Sequence, residues 1–141
     1  MSEVSERARA VEQGPFWQLL GMKVEAAENG SSLVTMRLRE DLLQLYGVVH
    51  GGALASLIDG AVGVAVQSTL AEGEATTTVD LQTMYSRPAV TGVLSARAAL
   101  VRRGKTIVFG ECRITDEADN LIAHGTATYM ILERARWQGK K

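Results

Sequence analysis

One carboxylate stands out by its surroundings. Asp59 lies within an apolar run, residues 53–66, and its helical neighbours three and four positions away are Ala55, Ser56, Val62 and Gly63. None is basic, and none belongs to a polar stripe that would face water. A carboxylate so placed is costly to ionise unless something pairs with it. It suits a base or a nucleophile, and the bland alternative is an acid in a wet gap or at a subunit seam with no chemical role. Just upstream runs Gly47-Val48-Val49-His50-Gly51-Gly52. Two glycines opening a helix leave backbone N–H groups uncovered by side chains, and such a terminus attracts negative charge. It could bind a phosphate or hold the oxygen of a tetrahedral intermediate. The simpler reading is that Gly51 and Gly52 permit a tight turn and that His50 is a structural hydrogen-bonder.

Spacing restricts how these groups can cooperate. Gly51 and Asp59 are eight residues apart, or about 12 Å along a helix axis. A water attacking a carbonyl must sit beside its base and about 3 Å from the carbon. One helix therefore cannot serve both ends of one small group, whereas two antiparallel copies can. The expectation is a homodimer with two equivalent sites at the seam, each using both chains.

The elements that must position these residues are legible in outline. Pro15 to Gly21 predicts a short helix, with proline suited to its first turn and glycine to its stop. Residues 22–27 and 32–39 predict two strands joined at Asn29-Gly30, a dipeptide suited to a tight hairpin. In the second strand Val34, Met36 and Leu38 share one face. Residues 42–49 read as a loop and 51–70 as the longest helix, apolar around most of its circumference and so buried. Gly60 and Gly63 cost that helix about 1 kcal/mol each relative to alanine, which suggests close approach of another backbone. Four strands follow at 75–85, 93–102, 106–115 and 121–132. The plan is α+β, a sheet of about six strands wrapped around one long central helix with a short N-terminal helix. Residues 1–13 and 133–141 read as flexible ends.

Composition excludes several classes of function. The 141 residues fit a single domain over 1–141. Fifteen basic against sixteen acidic residues argue against nucleic-acid binding. A single cysteine, Cys112, excludes an internal disulfide and a thiolate zinc site, and two histidines argue against a His-rich metal site. The polar first fourteen residues carry no apolar core, and the longest apolar stretch is too short to span a bilayer. The expectation is a cytoplasmic protein with no metal, no membrane and no nucleic-acid partner. Cys112 reads as a buried structural thiol and His124 as a structural or surface residue.

Taken together, Gln44-x-x-Gly47-x-x-His50-Gly51-Gly52 with Asp59 nine residues after the histidine resembles the signature of hotdog-fold acyl-CoA thioesterases. The branch it resembles is the phenylacetate-degradation (PaaI-type) group, and Thr78-Val79-Asp80-Leu81 with Tyr85-Ser86-Arg87-Pro88-Ala89 resembles the strand after that branch's central helix. The resemblance implies an antiparallel sheet, a homodimer usually paired into a tetramer, and hydrolysis of acyl-CoA to an acid and free CoA without a cofactor. By resemblance, Asp59 is the base or nucleophile, and the Gly51 N–H is the oxyanion donor. His50 orients the loop, Gln44 lies near the carbonyl or the leaving sulfur, and Thr78 holds the attacking water. Some relatives carry a hydroxyl residue one turn after the carboxylate, where this chain has Gly63. Gly52, Leu54, Ile58, Val62 and Arg87 are expected to meet substrate. Leu54, Ile58 and Val62 would line the acyl pocket, Phe16, Trp17 and Leu20 would close it, and Arg87 would face CoA phosphate. Arg102, Arg103, Lys105, Arg134 and Arg136 are further phosphate candidates, better read as solvated surface charge. The alternative from another class is a noncatalytic dimer that binds acyl-CoA or another small ligand.

Overall fold

The structure, a computed structural model, describes residues 4–137. The chain runs through α1 (Glu6–Val11), α2 (Pro15–Leu20), β1 (Met22–Glu28), β2 (Ser31–Arg37), a 3-10 turn (Glu40–Leu42) and α3 (Gly51–Gln67). It continues through β3 (Glu74–Tyr85), β4 (Val93–Arg103), β5 (Ile107–Thr115), β6 (Leu121–Glu133) and α4 (Arg134–Trp137). All six strands join one antiparallel sheet in the order β1-β2-β4-β5-β6-β3. α3 packs across it and touches every strand.

The local signals translate directly. Gly21 ends α2 in the left-handed region, and Asn29-Gly30 turns β1 into β2 with both residues at positive φ. Val34, Met36 and Leu38 face inward as their alternation requires. α3 is not uniformly buried. Leu54, Leu57, Ile58, Ala61, Val62 and Val66 are enclosed against the sheet, while Gly52, Ala55, Ser56, Asp59, Gly60 and Gly63 form a less buried stripe of small residues.

Three expectations need correction. Residues 6–11 are not loose. Ser5 caps α1 by accepting from the Ala8 N–H, Ala8 is fully enclosed, and Arg7 donates to Gln67 and to the backbone of Ala71 and Glu74. Arg134–Trp137 is a helical turn rather than tail; residues 1–3 and 138–141 lie outside the described residues. The glycines of α3 admit aromatic side chains, not another backbone. A Cβ at Gly60 would lie 2.9 Å from the Trp17 ring, and one at Gly63 would lie 2.7 Å from the Tyr129 hydroxyl.

Among the described residues, no helix is long and apolar enough to cross a membrane, and no group of three or more His, Cys, Asp or Glu is placed to hold a metal.

Candidate active site

Asp59 sits midway along the exposed stripe of α3, half-buried, facing the far end of the sheet. Two hydroxyls meet it there. Thr78 of β3 donates to its Oδ1 at 2.8 Å, and Tyr129 of β6 reaches the same oxygen at 2.6 Å. Thr78 and Tyr129 are cross-strand partners, so the β3–β6 register delivers both at once. The register slips immediately after Thr78, between Thr78 and Asp80. A bulge of this kind re-aims a strand beside a site. Burial first, then the neighbouring Asp59 charge and the hydrogen bond to it, push the Tyr129 phenol above its ordinary range, with the nearby Thr78 hydroxyl opposing. Tyr129 is therefore a hydrogen-bond donor at neutral pH.

These groups open into a cavity of about 200 Å³ bordered by Phe16, Trp17, Met22, Ser56, Gly60 and Gly63 as well as Asp59 and Tyr129. The aromatic residues of α2 thus wall the cavity beside Asp59. Leu20, expected among them, is buried in the core instead.

The start of α3 is built separately. Leu43 and Val49 pair across the loop, and the His50 N–H donates to Leu42 O at 2.8 Å. This fixes His50 as the helix cap, with its Nδ1 accepting from the Gly52 N–H at 2.8 Å. That bond assigns the ring proton to Nε2 when the imidazole is neutral. The Gly52 N–H is thereby committed to His50, and a Cβ at Gly52 would lie 2.9 Å from that ring nitrogen. The Gly51 N–H, by contrast, has no partner among the described residues, while the Gly51 carbonyl accepts from the Tyr85 hydroxyl at 2.9 Å. Gly51, Leu54, Tyr85, Ser86, Arg87 and Pro88 border a second cavity of about 350 Å³. Gln44 lies on the loop leading to it, its side-chain oxygen accepting from the Tyr46 N–H.

The sequence-derived residues thus fall into two groups within one chain, Asp59 with Thr78, and Gly51 with His50, Leu54 and Arg87. Ile58 and Val62 join neither. Both are completely buried, and Val62 packs onto β5 at Gly110, where a Cβ would clash with it. Their assignment to the acyl pocket is corrected, because the sheet occupies that face of α3. Thr78 spends its hydroxyl proton on Asp59, so toward a water it can only accept. Arg103 is engaged with Glu74 at 3.4 Å and Arg136 with Glu133 at 3.2 Å. Cys112 is buried as expected, its thiol pushed up to about 12 by desolvation. Tyr129 was missed from sequence: it lies 70 residues from Asp59 in the chain, outside any motif, and only strand register could have found it.

This architecture and these motifs have counterparts. Residues 46–123 match the Thioesterase superfamily, and the chain belongs to that family, with its hotdog fold. It is 30% identical over 132 residues to the medium/long-chain acyl-CoA thioesterase YigI of Escherichia coli, covering 83% of this chain and 85% of that one. It is 21% identical over 119 residues to the 1,4-dihydroxy-2-naphthoyl-CoA hydrolase of Listeria monocytogenes, covering 84% and 97%. The solved structure of a thioesterase from Haemophilus influenzae superposes with a TM-score of 0.85 at 22% identity, covering 94% of this chain and 93% of that one; at that identity the likeness shows the fold.

Proposed function

We propose that this protein hydrolyses acyl-CoA thioesters, with each site assembled from two copies of the chain. The observation that carries the reading is Asp59 itself, a carboxylate held by two hydroxyls at the mouth of an aromatic-lined cavity. Membership of the thioesterase superfamily and the acyl-CoA hydrolysis named for its relatives support the substrate class.

In this reading the acyl group enters the Phe16–Trp17 cavity, and its carbonyl oxygen accepts from the Gly51 N–H of the second copy. The dipole of α3 and the unpaired amide favour the negative charge that develops there. Asp59 removes a proton from water as the water oxygen bonds to the carbonyl carbon, or bonds to that carbon itself. Collapse of the tetrahedral species breaks the C–S bond, and the CoA sulfur leaves as thiolate and takes up a proton. After attack by water this collapse frees the acid directly, whereas after attack by Asp59 it leaves an acyl–Asp59 anhydride that a water then hydrolyses to the acid and free Asp59. Arg87, bordering the cavity at the helix start, faces the phosphates of CoA.

Pairing of copies is supported by an open edge. β3 ends the sheet over twelve residues, and its unpaired backbone groups are a template for a second strand. Val79, Met84 and Tyr85 on it, and Leu45 and Tyr46 on the nearby loop, expose large apolar side chains. Assembly into a dimer of dimers, a cytoplasmic location and the phenylacetate-degradation branch belong to the same proposal.

The test is thiol release across a panel of aryl and straight-chain acyl-CoAs. Asp59→Asn is expected to lower kcat by about 10² to 10⁴, as for loss of a general base, with ligand binding retained. A wild type that binds acyl-CoA yet releases no thiol from any ester would establish the noncatalytic reading. Single turnover in ¹⁸O-water bears on the two roles of Asp59: early label in the enzyme carboxylate favours an anhydride intermediate, and label only in the product favours attack by water.

A further inference from the structure

We infer that Tyr129 is a positioning residue for Asp59, holding one carboxylate oxygen so that the other faces the reaction. The inference rests on the proposed hydrolysis and names how this chain orients its acid.

Both side-chain donors converge on one atom. Thr78 and Tyr129 meet Oδ1, and no described residue donates to Oδ2. Two donors on one oxygen fix the carboxylate plane, because rotating it would break both bonds. Oδ2 then keeps its lone pairs for a water proton or for carbon. The Tyr129 hydroxyl also lies 2.6 Å from the main-chain oxygen of Asp59. Its single proton is shared between these two acceptors, so the phenol bridges the backbone and the side chain of one residue.

The helix is shaped to admit it. Gly63 stands one turn after Asp59, and a Cβ there would lie 2.7 Å from the phenol oxygen and 3.2 Å from its ring. Any larger residue at 63 would push the hydroxyl off Asp59. Tyr129 is only 6% exposed, so water cannot easily replace the lost donor. A buried phenol placed only to satisfy itself needs one acceptor, and the Asp59 carbonyl would have sufficed. The bond to Oδ1 is the additional feature that bears on chemistry.

The test compares wild type, Tyr129→Phe, Asp59→Asn and the double variant, using the acyl-CoA of the panel that wild type turns over fastest. Phenylalanine keeps the ring and removes only the donor. The expected result is a fall in kcat of about 10- to 100-fold, the scale of a slightly misplaced reacting group, with KM changed less than about twofold. Measured at high enzyme in the Asp59→Asn background, Tyr129→Phe is expected to cause no further loss, since it acts through the missing carboxylate. Gly63→Ala, which keeps the tyrosine but displaces its hydroxyl, is expected to reproduce the kcat loss and serves if Tyr129→Phe folds poorly. An inactive Asp59→Asn beside a fully active Tyr129→Phe overturns the role of Tyr129 alone. So does an equal loss in both backgrounds, which marks a structural effect. An Asp59→Asn variant with wild-type turnover overturns the proposed chemistry itself.

Discussion

Two inactive variants should restore each other. Gly51→Pro removes the unpaired N–H at the helix start while keeping the backbone angles a first helical residue needs. His50 already has the extended ψ of 135° that a following proline favours. The ring must displace Tyr85 slightly, since a Cβ at 51 would lie 3.2 Å from its Cζ. Alone, this variant should lose about 10²- to 10³-fold in kcat, as for removal of one oxyanion donor. Asp59→Asn alone should lose at least as much. In a mixed dimer, however, the intact Asp59 of one chain faces the intact Gly51 of the other, and the second site carries both lesions. Random pairing of equal amounts makes half of the dimers mixed, and each has one working site of two. Co-expression should therefore recover about 25% of wild-type activity, far above either parent. The measurement is thiol release from co-purified chains carrying two different affinity tags. Mixed dimers no more active than the parents would refute the shared site, because they would mean that each chain must supply both groups.

Two further outcomes follow from the packing. Ile58→Ala should cost about 2–5 kcal/mol of stability by leaving a core cavity, read from denaturant unfolding, while KM stays near wild type; a large KM rise with intact stability would return Ile58 to the acyl pocket. Cys112, buried and held protonated, should be unreactive to a thiol titrant at pH 8 until the chain is unfolded. The folded thiol ionises at about 12 and a free one at 9.0, so below pH 9 the group has no effect on stability. Across pH 9 to 12 the unfolded chain alone gives up the proton and stability falls. Tyr129, raised likewise, adds to that alkaline loss, and Cys112→Ala should remove only the cysteine share.

Much of this was readable in the chain because it is local. Pro15 and Gly21 bracket a helix, Asn29-Gly30 makes a hairpin, and alternation in β2 sorts its two faces; each is a preference of neighbouring residues that tertiary packing here leaves unopposed. Asp59 and the His50-Gly51-Gly52 helix start announced themselves in the same way, by chemical type against an apolar or glycine-rich background. What the sequence could not specify was direction across space. Ile58 and Val62 looked like pocket residues because α3 is apolar nearly all round, and only the sheet decided which face it covers. Gly63 looked like a missing hydroxyl, and only the β3–β6 register revealed the phenol of Tyr129 filling that place. Residue identity set which groups could do chemistry, while long-range strand pairing chose their partners, because a side chain's neighbours 70 residues away depend on the register of the whole sheet.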